Sequence, residues 1–530
     1  MTLLLAQLRR ERIILPIWIA AITLLAAASA GAVISQFGSE AERTAIVAIA
    51  VVSPAFLFMR GLPDGISVGA LTFFQVFAFS AVAAGLMVMF LVTRHTRAEE
   101  ESGRAELELS TAVRRADPLR STLVLAVIAT TVLSVAYGGA LAAAGLPLAG
   151  SILFGAAVAS VGLFFAGLAA LVAQLAPSAR SANAIVGAAV AGAFVLRGIG
   201  DALGSADAAA LRVDASPLSL LSPIGWAAAS RPFTDPQPWA VLVPVLAGAA
   251  LALASLLLRE RRDLGASIVG AAAGPARMRV GANAIGLAWR QSRTAVAAWA
   301  VAGAALGALG AGLSPLVASV VTESDTLAEL VNSLLPGTDT DTASVFVSGL
   351  VGIAGLLAAC AAVQAVLRLR ADESAGRTEL LLAAPVTRRR LVLAQILVAV
   401  VAALAVCLSV GVSAWLVSLL TGGADDPAVA LSGLAHTPAA LVFVGVSALA
   451  VTLLPRQATL VSWLALGLAV GVGQFGELLA LPDWMRWLSP FSHSAAVPVE
   501  TVHAGDVLLL LGAALACTAV ALRRRELVSS

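Results

Sequence analysis

The sequence predicts an all-α membrane protein of about twelve transmembrane helices, arranged as two fused six-helix halves. Three observations carry that expectation. The chain of 530 residues is 60% hydrophobic and only 12% charged, with a mean hydropathy of +0.96. Its apolar runs are about 20 residues long, enough for a helix to cross about 30 Å of hydrocarbon. Those runs also fall into two sets that share their charged punctuation. A barrel would need strands of about ten residues alternating apolar and polar, whereas LVLAVIATTVLSVAYGGALAAAG is continuously apolar and rich in Ala and Gly.

The first apolar run, residues 13–35, follows the basic patch QLRRER. It is too long for a signal-peptide core and shows no small-residue cleavage site, so it is read as a span. Further spans are expected at 69–93, 121–145, 149–175, 181–200 and 239–258. A second set follows at 294–318, 343–367, 391–420, 437–454, 457–480 and 504–522. The implied domains are an N-terminal half (1–258), a cytoplasmic linker rich in Gly and Ala (259–286) and a C-terminal half (287–530).

The chain has no Lys, so all 33 cationic residues are Arg. With the N-terminus inside, 27 of them lie on the inner side and six, at 43, 60, 197, 212, 231 and 486, on the outer. Arginine-rich loops resist translocation, which predicts a multi-pass protein of the cytoplasmic membrane with both termini in the cytoplasm. The net charge of +2 arises from loops of opposite sign and indicates no nucleic-acid partner. Cys360, Cys407 and Cys517 lie within expected spans without metal or redox spacing and read as packing residues.

RAEEESGRAELELSTAVRR, residues 97–115, aligns without a gap on RADESAGRTELLLAAPVTR, residues 370–388, and ten of nineteen positions match. Each copy follows the second span of its half. LSPIG at 221 similarly matches LSPFS at 488, and Arg9, Arg12 and Trp18 match Arg290, Arg293 and Trp299. Six spans per half is an even number, so the halves would be parallel repeats about an axis along the membrane normal.

Within each copy Glu100 and Arg104, or Glu373 and Arg377, stand four apart and would pair on a continuous helix. Gly103 and Gly376 disfavour continuity, so the second span is expected to break there. A short amphipathic helix would follow, with Leu107 and Leu109, or Leu380 to Leu382, on its buried side and Pro385 at its end. A single such loop is adequately explained by the positive-inside rule. Topology needs only positive charge, however, so matched Glu100/Glu373 and Glu106/Glu379 point to a partner surface.

ESAGRTELLLAAPVTRRRL resembles the signature of ABC-2 type permeases, the membrane subunits of ATP-binding-cassette exporters. The duplicated layout is similar to the permeases of tetronasin and polyketide antibiotic exporters, a type V exporter-like architecture. The resemblance implies that residues 97–115 and 370–388 are coupling helices, each docking on one of two copies of a cytosolic ATPase. Glu100, Gly103, Arg104, Glu106 and Leu107, with Glu373, Gly376, Arg377, Glu379, Leu380 and Pro385, would be the coupling residues. It further implies that the loops holding Pro223 and Pro490 fold back at the outer face as a gate. The first copy departs from the pattern, with Ala112 in place of the proline and Glu108 in place of Leu381.

Without Lys the phosphate-loop signature GxxxxGK[ST] cannot be satisfied, so ATP and Mg belong on the partner and the chain itself binds no cofactor. The alternative is a twelve-span ion-coupled drug antiporter. Such proteins keep ionisable groups near the bilayer midplane, whereas Arg197, Asp201, His436 and Glu477 fall near expected span ends. An enzyme is disfavoured: the four histidines lack metal spacing, and Asp339-Thr340-Asp341 reads as a solvated turn.

Spans of Ala, Val, Leu, Gly and Phe suit export of an amphipathic or hydrophobic compound. Phe73 and Phe77 share one helical face of span two, with Gln75 round the side; Phe346 and Leu350 stand at the corresponding places in the second half. These are substrate-path candidates, weighed against ordinary helix packing, which is the commoner role.

Overall fold

A computed structural model describes residues 2–52, 54–111, 113–207, 211–263, 283–322, 342–374, 376–383, 386–420, 427–475, 482–495, 497 and 502–527. The protein is an all-α membrane protein. Eleven described helices are long and apolar enough to cross a membrane, and a further apolar helix, Ala458–Gly473, is shorter. In lipid a backbone without water must satisfy its own hydrogen bonds, which a helix does within one segment. The only described strands are β1 (Ser205–Asp207) and β2 (Arg212–Asp214), a short antiparallel ribbon in a connector. The chain divides into two compact units, Met1–Gly274 and Pro275–Ser530.

The first unit opens with α1 (Thr2–Glu11), followed by the spans α2 (Ile14–Gln36) and α5 (Val68–Arg94). The span pattern leaves residues 36–68 without an element, yet α3 (Glu40–Val52) and α4 (Pro54–Arg60) form there, apolar but too short to cross. After α5 come α6 (Arg97–Glu101) and α7 (Arg104–Leu109), then α8 (Asp117–Ala143), α9 (Leu148–Leu175), α10 (Ala179–Ala202), α11 (Pro223–Ala228) and α12 (Trp239–Arg261). Their starts are written locally: the Ser67 hydroxyl accepts from the Ala70 amide, and Ser178 and Ser181 form a reciprocal capping box on α10.

On α2 the buried residues Leu15, Ile22, Ala26, Ala30 and Val33 keep to one helical face. In contrast α5 and α9 are buried nearly all round and form the centre of the unit. Glycine permits close packing of α8 against α9. A Cβ at Gly138 of α8 would stand 2.8 Å from the Ser151 carbonyl of α9, and one at Gly155 would stand 3.2 Å from the Gly138 nitrogen. Backbones that approach so closely gain the van der Waals contact that replaces a hydrophobic driving force in lipid.

The second unit contains α13 (Ala284–Thr322), α14 (Thr342–Ser374), α15 (Arg377–Leu382), α16 (Arg388–Leu420), α17 (Ala428–Ser432), α18 (Thr437–Leu453), α19 (Ala458–Phe475), α20 (Asp483–Trp487) and α21 (Ala504–Leu527). Its core is small-residue packing among α14, α16 and α18, centred on Ala358, Ala362, Ala399, Ala403, Val406 and Ala440. Most of the expected linker, together with Glu477 and Asp339 to Asp341, lies outside the described residues.

Candidate functional site

The two charged elbows share a left-handed glycine and the six-residue helix that follows it. After α5 the chain passes His95 and Thr96, forms α6 and reaches Gly103 at φ 74°, from which α7 starts. In the second unit α14 continues to Ser374, Gly376 takes φ 70°, and α15 starts at Arg377. This left-handed conformation is open to glycine and costs other residues about 1–2 kcal/mol.

Two expectations about the elbows are corrected. Leu107 and Leu380 point outward, 71% and 78% exposed, while Ala105 and Thr378 face inward. Two residues of helix rotate a side chain by about 200°, so an inward Ala105 dictates an outward Leu107. Leu109, Leu381 and Leu382 are half-buried. The Glu100–Arg104 and Glu373–Arg377 pairs also do not form, because the glycine turn breaks the four-residue register. Arg104 instead stands 3.8 Å from Glu99, and Arg377 binds Asp372 at 2.7 Å. Glu106 and Glu379 are exposed, and Pro385 lies outside the described residues.

Glu100 is a buried junction and not a surface residue. Its carboxylate receives Arg97 at 2.8 Å and also Arg259 and Arg262, from the end of α12 and the residue following it. Arg97 donates onward to the Pro177 carbonyl at 2.8 Å, and Glu101 accepts the Ala179 amide at 2.7 Å, which ties the elbow to the α9–α10 turn. Glu373 stands 3.8 Å from Arg370. RERRD at 259–263 reads in sequence only as a topology signal, so its role as the counter-charge was missed.

A second junction holds α1 to the elbow. Glu11 is buried, with Arg94 at 2.8 Å and the His95 Nε2 at 2.9 Å, and Arg10 meets Glu99 at 2.8 Å. Burial pushes the Glu11 carboxyl up, but the His95 hydrogen bond and the Arg94 charge outweigh it and hold the group below the ordinary range. Glu108 is pushed up, chiefly by burial and then by the like charge of Glu99.

The end of the first unit away from the elbow holds a cavity of about 100 Å³. Phe73, Phe74 and Phe77 of α5 form one wall; Arg60, Asp64, Arg197 and Asp201 contribute its charges. Phe73 and Phe77 stack at 4.6 Å between centroids, and Phe73 meets Phe154 edge-on at 4.7 Å. They thus pack the core and line the cavity together. Gln75 is half-buried and not on this wall; the side chains of Phe346 and Leu350 lie outside the described residues. Arg197 and Asp201, both buried, pair at 3.1 Å; Ser219 donates to Asp201 at 2.6 Å, and Arg197 covers the Phe194 ring at 4.8 Å. Their burial is invisible in a sequence that places them simply at a span end.

The connectors that hold Pro223 and Pro490 each hydrogen-bond to a helix of their own unit. Pro223 starts α11, and the hydroxyl of Ser222 donates to the Ala193 carbonyl of α10 at 2.7 Å. Pro490 starts a short 3-10 turn, and Ser489 donates to the Ala469 carbonyl of α19 at 2.7 Å. Beside that turn, a pocket of about 500 Å³ contains His493, whose ring nitrogens meet Asp506 at 3.0 Å and the Trp487 carbonyl at 2.8 Å.

Twin elbows, an aromatic cavity and an apolar helical frame agree with a transport protein, and comparison with known proteins gives the family. The chain is 31% identical over 533 aligned residues to the multidrug efflux system permease protein Rv1217c of Mycobacterium tuberculosis, covering 99% of this chain and 94% of that protein. The family described as "Multidrug efflux system permease Rv1217c, C-terminal domain" matches residues 4–258 and 282–524. The chain therefore belongs to the Rv1217c family of multidrug efflux system permeases.

Proposed function

We propose that this permease is the membrane subunit of an ATP-binding-cassette exporter of the ABC-2 type, driven by two copies of a separate cytosolic ATPase. One observation carries the reading: each unit presents a glycine-broken six-residue helix with an exposed leucine at the same position, Leu107 and Leu380. An isolated apolar side chain on a charged elbow suits insertion into a groove of a partner, with Glu106 and Glu379 at its rim. ATP and Mg would be held by that partner, since the chain has no Lys for a phosphate loop. The family match parts at residues 259–281, between the two expected sets of six spans, which is the arrangement two fused halves would give.

In this reading the elbow end is cytoplasmic and the membrane is the inner one. ATP-driven closure pushes on the elbows, and the halves rock between inward-open and outward-open states. The Ser222 and Ser489 connectors gate the outer end. The exported compounds are amphipathic or hydrophobic, which the aromatic wall favours, and a multidrug efflux relative is in keeping with that.

Co-expression with candidate ATPases tests this. An ATPase that co-elutes with the chain and gains drug-stimulated hydrolysis is the expected result. Drug transport in ATP-free proteoliposomes under a pH gradient would overturn it in favour of an ion-coupled antiporter.

A further inference from the structure

The cavity at the Phe73 end has an unbalanced charge inventory. Asp201 is committed to Arg197 and Ser219, and Arg231 reaches Asp214 at 3.4 Å. Among the arginines of the wall Arg60 is the exception. It is half-buried, forms no ion pair with any described residue, and has only the Phe56 ring at 5.8 Å. A guanidinium does not lose its proton in proteins, so burial here leaves a charge without compensation. Burial alone presses on it, and no carboxylate opposes the effect.

Three further features converge on the same space. The Nε of Arg197, a side chain 1% exposed, is buried without a hydrogen-bond partner on the cavity wall, and so is Asp64 Oδ2. Burial pushes the Asp64 carboxyl up, against the lowering charge of Arg212. Arg231, also on the wall, is held at φ 42°, a strained conformation of the kind kept where the surroundings impose it.

We infer that this cavity is a binding site for an acidic amphiphile: one carboxylate, phosphate or sulfonate group set against Arg60 and the Arg197 edge, with an apolar chain or ring against Phe73, Phe74 and Phe77. A cationic ligand is disfavoured because three arginines, Arg60, Arg197 and Arg231, line the cavity against two carboxylates, Asp64 and Asp201. The present volume of about 100 Å³ holds a head group and not a whole drug. The assignment of this ligand as cargo rests on the exporter reading; its binding does not.

The test uses the full chain in phosphatidylcholine nanodiscs without any ATPase, so its failure and that of the docking proposal are separable. A photoactivatable diazirine fatty acid and its methyl ester are cross-linked in parallel, and labelled peptides are mapped. The acid is expected to label the stretches around Phe73–Phe77 and Leu220–Arg231 about tenfold more than the ester, the scale of one charged hydrogen bond. Arg60→Gln should bring the ratio near one, while Arg60→Lys should retain most of it. Equal labelling by acid and ester in the unsubstituted protein overturns the inference whether or not the variants fold, as does an unchanged ratio in folded Arg60→Gln. Competition identifies the source: displacement by phosphatidylglycerol added to the disc indicates a lipid head group, and displacement by soluble decanoate alone indicates a free solute. Displacement by neither overturns the site.

Discussion

Gly103 and Gly376 hold the same left-handed backbone, φ 74° and 70°, at the same point of two elbows. A Cβ at either position would meet nothing within 4 Å, so the cost of a side chain there is conformational and not steric. Replacing either by Ala is expected to destabilise its elbow by about 1–2 kcal/mol. Asn tolerates this conformation better and should recover part of the loss. Thermal unfolding of the purified chain, together with ATPase stimulation in the complex, measures both. Identical stability of the Ala and Gly forms would show that the turn is not imposed in solution.

Leu107 and Leu380 are exposed on their short helices and contribute little to the packing of their own units. Leu107→Ser and Leu380→Ser should therefore shift chain stability by no more than about 0.5 kcal/mol. Each should still weaken ATPase association by about tenfold, the worth of one buried leucine. Quantitative co-elution with the ATPase is the readout, and full retention by the double variant would remove the leucines from the docking surface.

Glu100 and Glu373 are matched in sequence but differ in setting. Glu100→Gln leaves Arg97, Arg259 and Arg262 around a neutral amide, and loss of one partner from a buried cluster costs about 3–5 kcal/mol. Glu373, part-exposed with Arg370 at 3.8 Å, should cost no more than about 1 kcal/mol as Gln. Parallel melting curves decide this, and equal losses would contradict the asymmetry of the two elbows.

The frame was legible because a lipid solvent leaves a coarse signal. The second span, expected at 69–93, is α5 at Val68–Arg94, since its apolar run and its Ser67 cap coincide. The seventh, expected at 294–318, begins earlier, at Ala284, because a helix does not stop where hydropathy falls. The break at Gly103 was readable from glycine chemistry. The face of Leu107 was not, because an apolar residue on a six-residue helix suggests burial without saying against what. Nor were the partners of Glu100, because Arg259 and Arg262 lie 159 and 162 residues away and no local spacing reports them.

Glu11 gives the α1 junction a pH dependence. Its carboxyl lies below the ordinary range when folded, because the His95 hydrogen bond and the Arg94 charge outweigh burial. The folded chain therefore binds fewer protons than the unfolded one near the ordinary glutamate value of about 4.3. The resulting stability is fully present above that value and is lost as pH falls through the lower folded one. Arg94 stays charged throughout, so the loss on acidification comes from the carboxylate. Glu11→Gln should lower the melting temperature at pH 7 and flatten the part of the acid slope that lies below about pH 5. Carboxylates elsewhere contribute to the slope in both proteins, so the difference between the curves is the measure. A constant offset between variant and parent across that window would mean that Glu11 titrates alike in the folded and unfolded chain, and that α1 is held by its leucines and by the Gln7 bonds to Ser121 and Thr122 instead.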